Sequence, residues 1–140
     1  MKRIIIPVAL FLIIILFYVL YLQFPLSQFA HEIKPANRIV VTLWGNSTTI
    51  TITNHDATKV VKAVSSAKRD FGFYKAQFVM IIKFYEGTNN LGEIRNCGSL
   101  FLVDDKQYRA EDLNQLVEAP FIEAYKKAME DSFEKQSESK

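Results

Sequence analysis

A second cysteine is missing, and that absence is the first constraint on the chain. With Cys97 alone, no internal disulfide can form, so a domain held outside the cytoplasm must stand on packing. Histidine is nearly as scarce. His31 and His55 are the two in the chain, and no CxxC, HxxxH or calcium-loop spacing is present, which argues against the familiar zinc and calcium sites. The glycines Gly45, Gly72, Gly87, Gly92 and Gly98 are too scattered to cradle a phosphate, and no serine stands in a nucleophile-elbow pattern. An excess of positive charge is lacking as well. From Arg38 to Lys140 cations and anions are equal in number, so there is no basic stripe to neutralise phosphates and no nucleic-acid partner is expected. Neither a cofactor nor a metal is expected.

What the chain does have is one long apolar run. From Ile4 to Leu22 no residue is charged or strongly polar, and as a helix this run would span roughly 28 Å, the thickness of a bilayer's hydrocarbon. Pro7 falls in the first turn of such a helix, where its missing N–H costs nothing. Tyr18 and Tyr21 fall toward the far end, at the level where amphipathic rings prefer to sit. Lys2 and Arg3 precede the run, while the stretch that follows it offers Lys34 as a cation and Glu32 as an anion. The positive-inside rule then places the N-terminus in the cytoplasm and the rest outside. A cleaved signal would have a shorter apolar region and small residues at its cut. The one plausible cut, after Ala30 in "LSQFAHE", has Gln28 where a small side chain is wanted. Residues 1–22 therefore read as a transmembrane signal anchor, and residues 4–22 as the part in contact with lipid.

Residues 23–37, "QFPLSQFAHEIKPAN", carry two prolines and no sustained period, so they read as a juxtamembrane linker. Leu26, Phe29 and Ile33 form at most a short apolar face on the membrane surface. Beyond it, "RIVVTLW" and "TTITIT", separated by "GNS", read as a β-hairpin with Ile50 and Ile52 on its buried face. An amphipathic helix follows, with Asn54 or Asp56 as its N-cap and Ala57, Val60, Val61, Val64 and Ala67 at helical spacing. "AQFVMIIKFY" is apolar on both faces, as a central strand should be. "LGEIRN", "SLFLV" and "QYR" are joined by tight turns. "AEDLNQLVE" is a short amphipathic stretch, and Pro120 opens a last helix with an apolar stripe that includes Phe121, Tyr125, Met129 and Phe133.

The implied fold is α+β: an N-terminal transmembrane helix, then a two-layer domain at 38–133 with an antiparallel sheet of about five or six strands and two helices on one face, in the order β-β-α-β-β-β-(β)-α. Residues 134–140 read as a disordered tail.

Candidate chemistry is thin. A nucleophilic Cys97 needs a base, and His55 is the one histidine inside the domain. Without a demanded pairing, Cys97 beside Gly98 reads as packing at a strand junction. Asp104 and Asp105 stand where a hairpin turn is required. Asp70, Glu86 and Glu93 offer carboxylates with no evident convergence. "RDFGFYK" holds the letters of a kinase motif with no other kinase element. The more promising feature is recognition: Phe71, Phe73 and Tyr74 stand among Lys68, Arg69 and Lys75, the residue types of interface hot spots. The competing reading folds these aromatics back onto the core, and Trp44 poses the same choice. Candidate partner-binding residues are therefore Trp44, Arg69, Phe71, Phe73 and Tyr74. "NST" at Asn46 is a glycosylation acceptor pattern in a eukaryotic secretory pathway. The expected function is a membrane-anchored, extracytoplasmic module that binds another protein or a component of the envelope, and not an enzyme. One alternative is an inhibitor or immunity-type protein acting against an envelope enzyme. The other is an envelope enzyme using Cys97 or a carboxylate pair.

Overall fold

The computed structural model describes residues 2–43, 48–72 and 80–138. Its first helix, α1 (Lys2–Ile33), is longer than the apolar run. Seven strands follow: β1 (Arg38–Leu43), β2 (Thr49–Thr53), β3 (Lys68–Arg69), β4 (Met80–Glu86), β5 (Asn89–Cys97), β6 (Leu100–Val103) and β7 (Lys106–Arg109). Helix α2 (Asn54–Ser65) lies between β2 and β3, and one π-helical stretch, Asn114–Glu118, runs directly into α3 (Ala119–Glu138). The strands make one antiparallel sheet in the order β2-β1-β4-β5-β6-β7-β3. The α+β architecture is as expected. The additional strand is β3, whose two residues pair with Arg109 and Tyr108 at the sheet's edge, too short to leave a periodic signal.

Alternation sets the two faces. Ile39 and Val41 of β1 align with Phe84 and Ile82 of β4, and Ile82 aligns with Ile94 of β5. All five are buried. Phe101 and Tyr108 continue this face on β6 and β7 and stack with their centroids 5.9 Å apart. The opposite face carries Val40, Lys83, Glu93 and Leu102 and is half-buried to exposed. Ala57, Val60, Val61, Ala63 and Val64 of α2, with Leu113, Val117 and Phe121, close the covered face.

The largest difference from expectation lies in residues 23–37. They are not a linker: α1 continues through Pro25 to Ile33, and Leu26, Phe29 and Ile33 are buried in the domain core. These residues recur at i, i+3 and i+7, one face of a helix, and that face meets the sheet instead of a membrane surface. Phe29 stands edge-on to Phe84, with centroids 5.8 Å apart and ring planes at 82°. The seat is made by Gly92. A Cβ there would come within 2.8 Å of Phe29 Cε2, and its φ of +154° is one that side chains resist. Gly92 follows a bulge at which the register slips between Phe84 and Tyr85. Because α1 starts at Lys2, Pro7 lies beyond the first turn, where its ring removes one intrahelical bond.

Asn37 fastens the end of this helical segment. Its backbone N–H donates to Tyr85 O at 3.0 Å, its carbonyl accepts from Asn54 N at 3.0 Å, and its side-chain Oδ1 accepts from Gly87 N at 3.2 Å. The start of α2 differs from expectation too. Neither Asn54 nor Asp56 is its N-cap: Thr53 holds that position without a side-chain cap bond, Asn54 has φ +55°, and Asp56 instead pairs with Lys59 at 2.9 Å. At the other end of the chain α3 continues through Glu138, so residues 134–138 are helical and not a disordered tail.

Burial of Phe29 predicts that Phe29→Ala lowers unfolding free energy by about 3–5 kcal/mol. Gly92→Ala should cost about 1–3 kcal/mol by overpacking and should cost less when introduced into the Phe29→Ala background. Denaturant titration of the two single variants and the double variant checks this coupling.

Candidate partner-binding surfaces

Of the five residues singled out for recognition, Trp44, Phe73 and Tyr74 lie outside the described residues. The structure places the other two together. Arg69 is the second residue of β3; its guanidinium stacks between the Phe71 ring, 5.5 Å away, and the Tyr108 ring, 5.4 Å away. Its Nη1 donates to Gln107 O at 3.0 Å. Phe71 does not fold back onto the core: it is 64% exposed. Burial pushes the Tyr108 hydroxyl's pKa up, against smaller lowering influences from Arg69 and a hydrogen bond with the Leu26 backbone.

Asp70 fixes the turn that carries Phe71. One carboxylate oxygen accepts from Gly72 N at 2.7 Å and the other from Arg109 Nε at 2.7 Å. These bonds, the Gly72 N–H first and Arg109 second, hold its carboxyl below the ordinary carboxylate range. Asp70 is therefore occupied in structure. Glu93 faces Lys83 at 3.7 Å, and Glu86 is exposed at the end of β4.

Cys97 is the half-buried last residue of β5. The neighbouring turn is shaped by Asn96, which is fully buried and whose Nδ2 donates to Gly98 O at 2.8 Å and to Leu100 O at 3.1 Å. His55 is remote from it. Its helix starts beside Thr53, which pairs with Arg38 at one end of the sheet, whereas Asn96 pairs with Met80 at the other end and three strands away. Strand rise and spacing put the two on the order of 20 Å apart, so the Cys97–His55 dyad is not assembled. Among the described residues, no group of three His, Cys, Asp or Glu side chains is placed to hold a metal ion. Asp104 and Asp105, with φ +48° and +59°, are the two central residues of the β6–β7 turn.

A second surface had no sequence signal. Leu43, Met80, Glu118, Phe121, Ile122 and Tyr125 line an open groove of about 190 Å³ between the ends of β1 and β4 and the start of α3. Phe121 and Tyr125 stack on one wall, 6.5 Å apart. Glu118 Oε2 is shielded from solvent and has no hydrogen-bond partner among the described residues. It lies against Gly98, where a Cβ would come within 3.3 Å of it. Beyond Tyr125 the side chains of α3 through Asp131 are exposed, Met129 among them. Of the stripe expected to be buried along this helix, Phe121 is buried, Tyr125 is half-buried and Met129 is exposed. The groove draws on three segments far apart in the chain, which is why no local pattern announced it.

No family model matches the chain, and no curated protein and no solved structure matches it.

The Asp70 pair has a pH signature. A lowered folded-state pKa adds stability that is fully present above the unfolded carboxyl's value of about 3.9 and is lost as pH falls through the lower folded value. Since Arg109 is one-third exposed, the contribution should be about 1 kcal/mol. Asp70→Asn should be less stable than wild type by that amount at pH 7, and the gap should close as pH drops below about 3.9; denaturant titrations at a series of pH values measure it.

Proposed function

We infer that this chain is a single-pass, membrane-anchored binding module whose α+β domain lies outside the cytoplasm and captures a protein partner in the groove beside α3. The observation that carries this reading is the groove itself: an apolar wall on which Phe121 and Tyr125 stack, with Ile122 exposed beside them. Such a site favours a partner that inserts an apolar side chain between Leu43, Met80 and the Phe121–Tyr125 wall.

The anchor rests on separate support. One helix is long and apolar enough to cross a membrane, and its large apolar side chains from Val8 to Tyr21 are 42–67% exposed. In water that surface would be a liability, and in lipid it is solvated. Removal as a cleaved signal is disfavoured by the core, since a cut after Ala30 would strip out Leu26 and Phe29. Lys2 and Arg3 ahead of the run support a cytoplasmic N-terminus.

A photo-crosslinking residue at Ile122, which is 43% exposed, should yield a discrete protein adduct in the native membrane. Glu118→Ala together with Tyr125→Ala should reduce that adduct at least tenfold while leaving the melting transition cooperative. An adduct unaffected by these changes, or a domain protected from protease added outside intact cells, contradicts the reading.

A further inference from the structure

The path of α1 across the sheet says which edge of the domain meets the bilayer. Tyr21, the last described side chain of the long exposed run, lies under Lys106 Nζ, 5.2 Å from its ring centroid, at the start of β7. Leu26, a turn and a half on, is buried in the same core cluster as Tyr108 of that strand. Phe29 then reaches Gly92 of β5 and Phe84 of β4, and Asn37 bonds to Tyr85. The helix thus enters from the β3–β7 side and crosses the strands toward β4. Little free length separates lipid from domain. Tyr21 to Leu26 is a rise of about 7.5 Å, comparable with the 5–7.5 Å or so of headgroup region on each side of the hydrocarbon. The strand at that edge is β3, and just beyond it Phe71 presents its exposed ring.

We propose that the β3–β7 edge rests on the lipid headgroups, with Phe71 and Phe24 seated among them and Lys106, whose Nζ meets the Tyr21 ring, at the headgroup–acyl boundary. This rests on the reading of α1 as a membrane span. Phe24 is 63% exposed on α1 between Tyr21 and Leu26, and Phe71 is 64% exposed beyond β3, so each of the two elements at this edge offers one free ring. Aromatic rings and lysines with apolar stems are the side chains that tolerate this depth. Lys68, Arg69 and Lys106 supply the positive charge of this edge, Asp104 and Asp105 offset two of them, and Asp70 is paired with Arg109. With charge so nearly balanced, contact is driven by the rings and does not require anionic lipid. The consequence is a fixed orientation: the β2 edge and the α3 groove are held away from the bilayer, with the groove open to a partner.

The test is depth-dependent quenching of the full chain in phosphatidylcholine vesicles, with a polarity-sensitive fluorophore on single cysteines in a Cys97→Ser background. Reporters are placed by Phe71→Cys, by Thr51→Cys on the far edge strand, and by Leu16→Cys within α1. A lipid carrying a nitroxide near its headgroup should quench the Phe71→Cys reporter at least threefold more than the Thr51→Cys reporter. Lys68→Cys, on the same edge strand, provides the same comparison if the first variant fails to fold. Equal quenching at positions 71, 68 and 51, with the Leu16→Cys reporter quenched by a deep nitroxide, overturns the proposal and leaves the span intact. A Leu16→Cys reporter untouched by deep nitroxide overturns both. Quenching at position 71 that appears only after phosphatidylserine is added would overturn the ring-driven contact.

Discussion

The seating of α1 on the sheet, with Phe29 against Gly92 and Phe84, is the interaction on which the rest of this structure depends. It joins the apolar run to the domain through a single helix. Leu26, Phe29 and Ile33 each contribute about 1.5–3 kcal/mol of burial, and in a domain of roughly a hundred residues whose whole stability is a few times larger they are not dispensable. The glycine matters as much as the ring. A side chain at position 92 would occupy the space the ring needs, and the backbone there has a conformation that favours glycine. Asn37 then converts the end of the helix into the start of β1 through three hydrogen bonds, so helix, hairpin and α2 are fixed at one point.

Much of the sheet was readable in residue order because its physical cause is local. Alternation in β1 and β4, the tight turns, and the spacing of apolar residues in α2 all follow from one face being wet and the other dry. Residues 23–37 were misread because Pro25 and Pro35 look like punctuation. Their apolar face was visible, but what it packs against is set by Gly92, far along the chain. The same reason hid the groove: Leu43, Met80 and Glu118 acquire meaning only through register and the turn into α3. Among the recognition candidates, Arg69 and Phe71 fall within the described residues, and the structure separates their surroundings. Arg69 is engaged with Gln107, Tyr108 and Phe71, while Phe71 is left presenting its ring.

These features divide the domain by task. The covered face of the sheet is given to holding the helix, and Asp70 and Asn96 spend their hydrogen bonds on turns. Two surfaces among the described residues stay open, the exposed Phe71 ring beyond β3 and the groove at the start of α3. A rigid link between helix and domain gives both surfaces a defined direction relative to the apolar run of α1, which a flexible linker would not.

That link is the central claim, and spin-label distance measurement tests it most directly. Labels introduced by Tyr18→Cys on α1 and Thr88→Cys on the β4–β5 turn, in a Cys97→Ser background and reconstituted in bilayers, should give one narrow distance distribution, because a continuous helix joins them through the core. A broad distribution extending over many ångströms would mean that the chain hinges between Leu22 and Asn37, and would contradict the account.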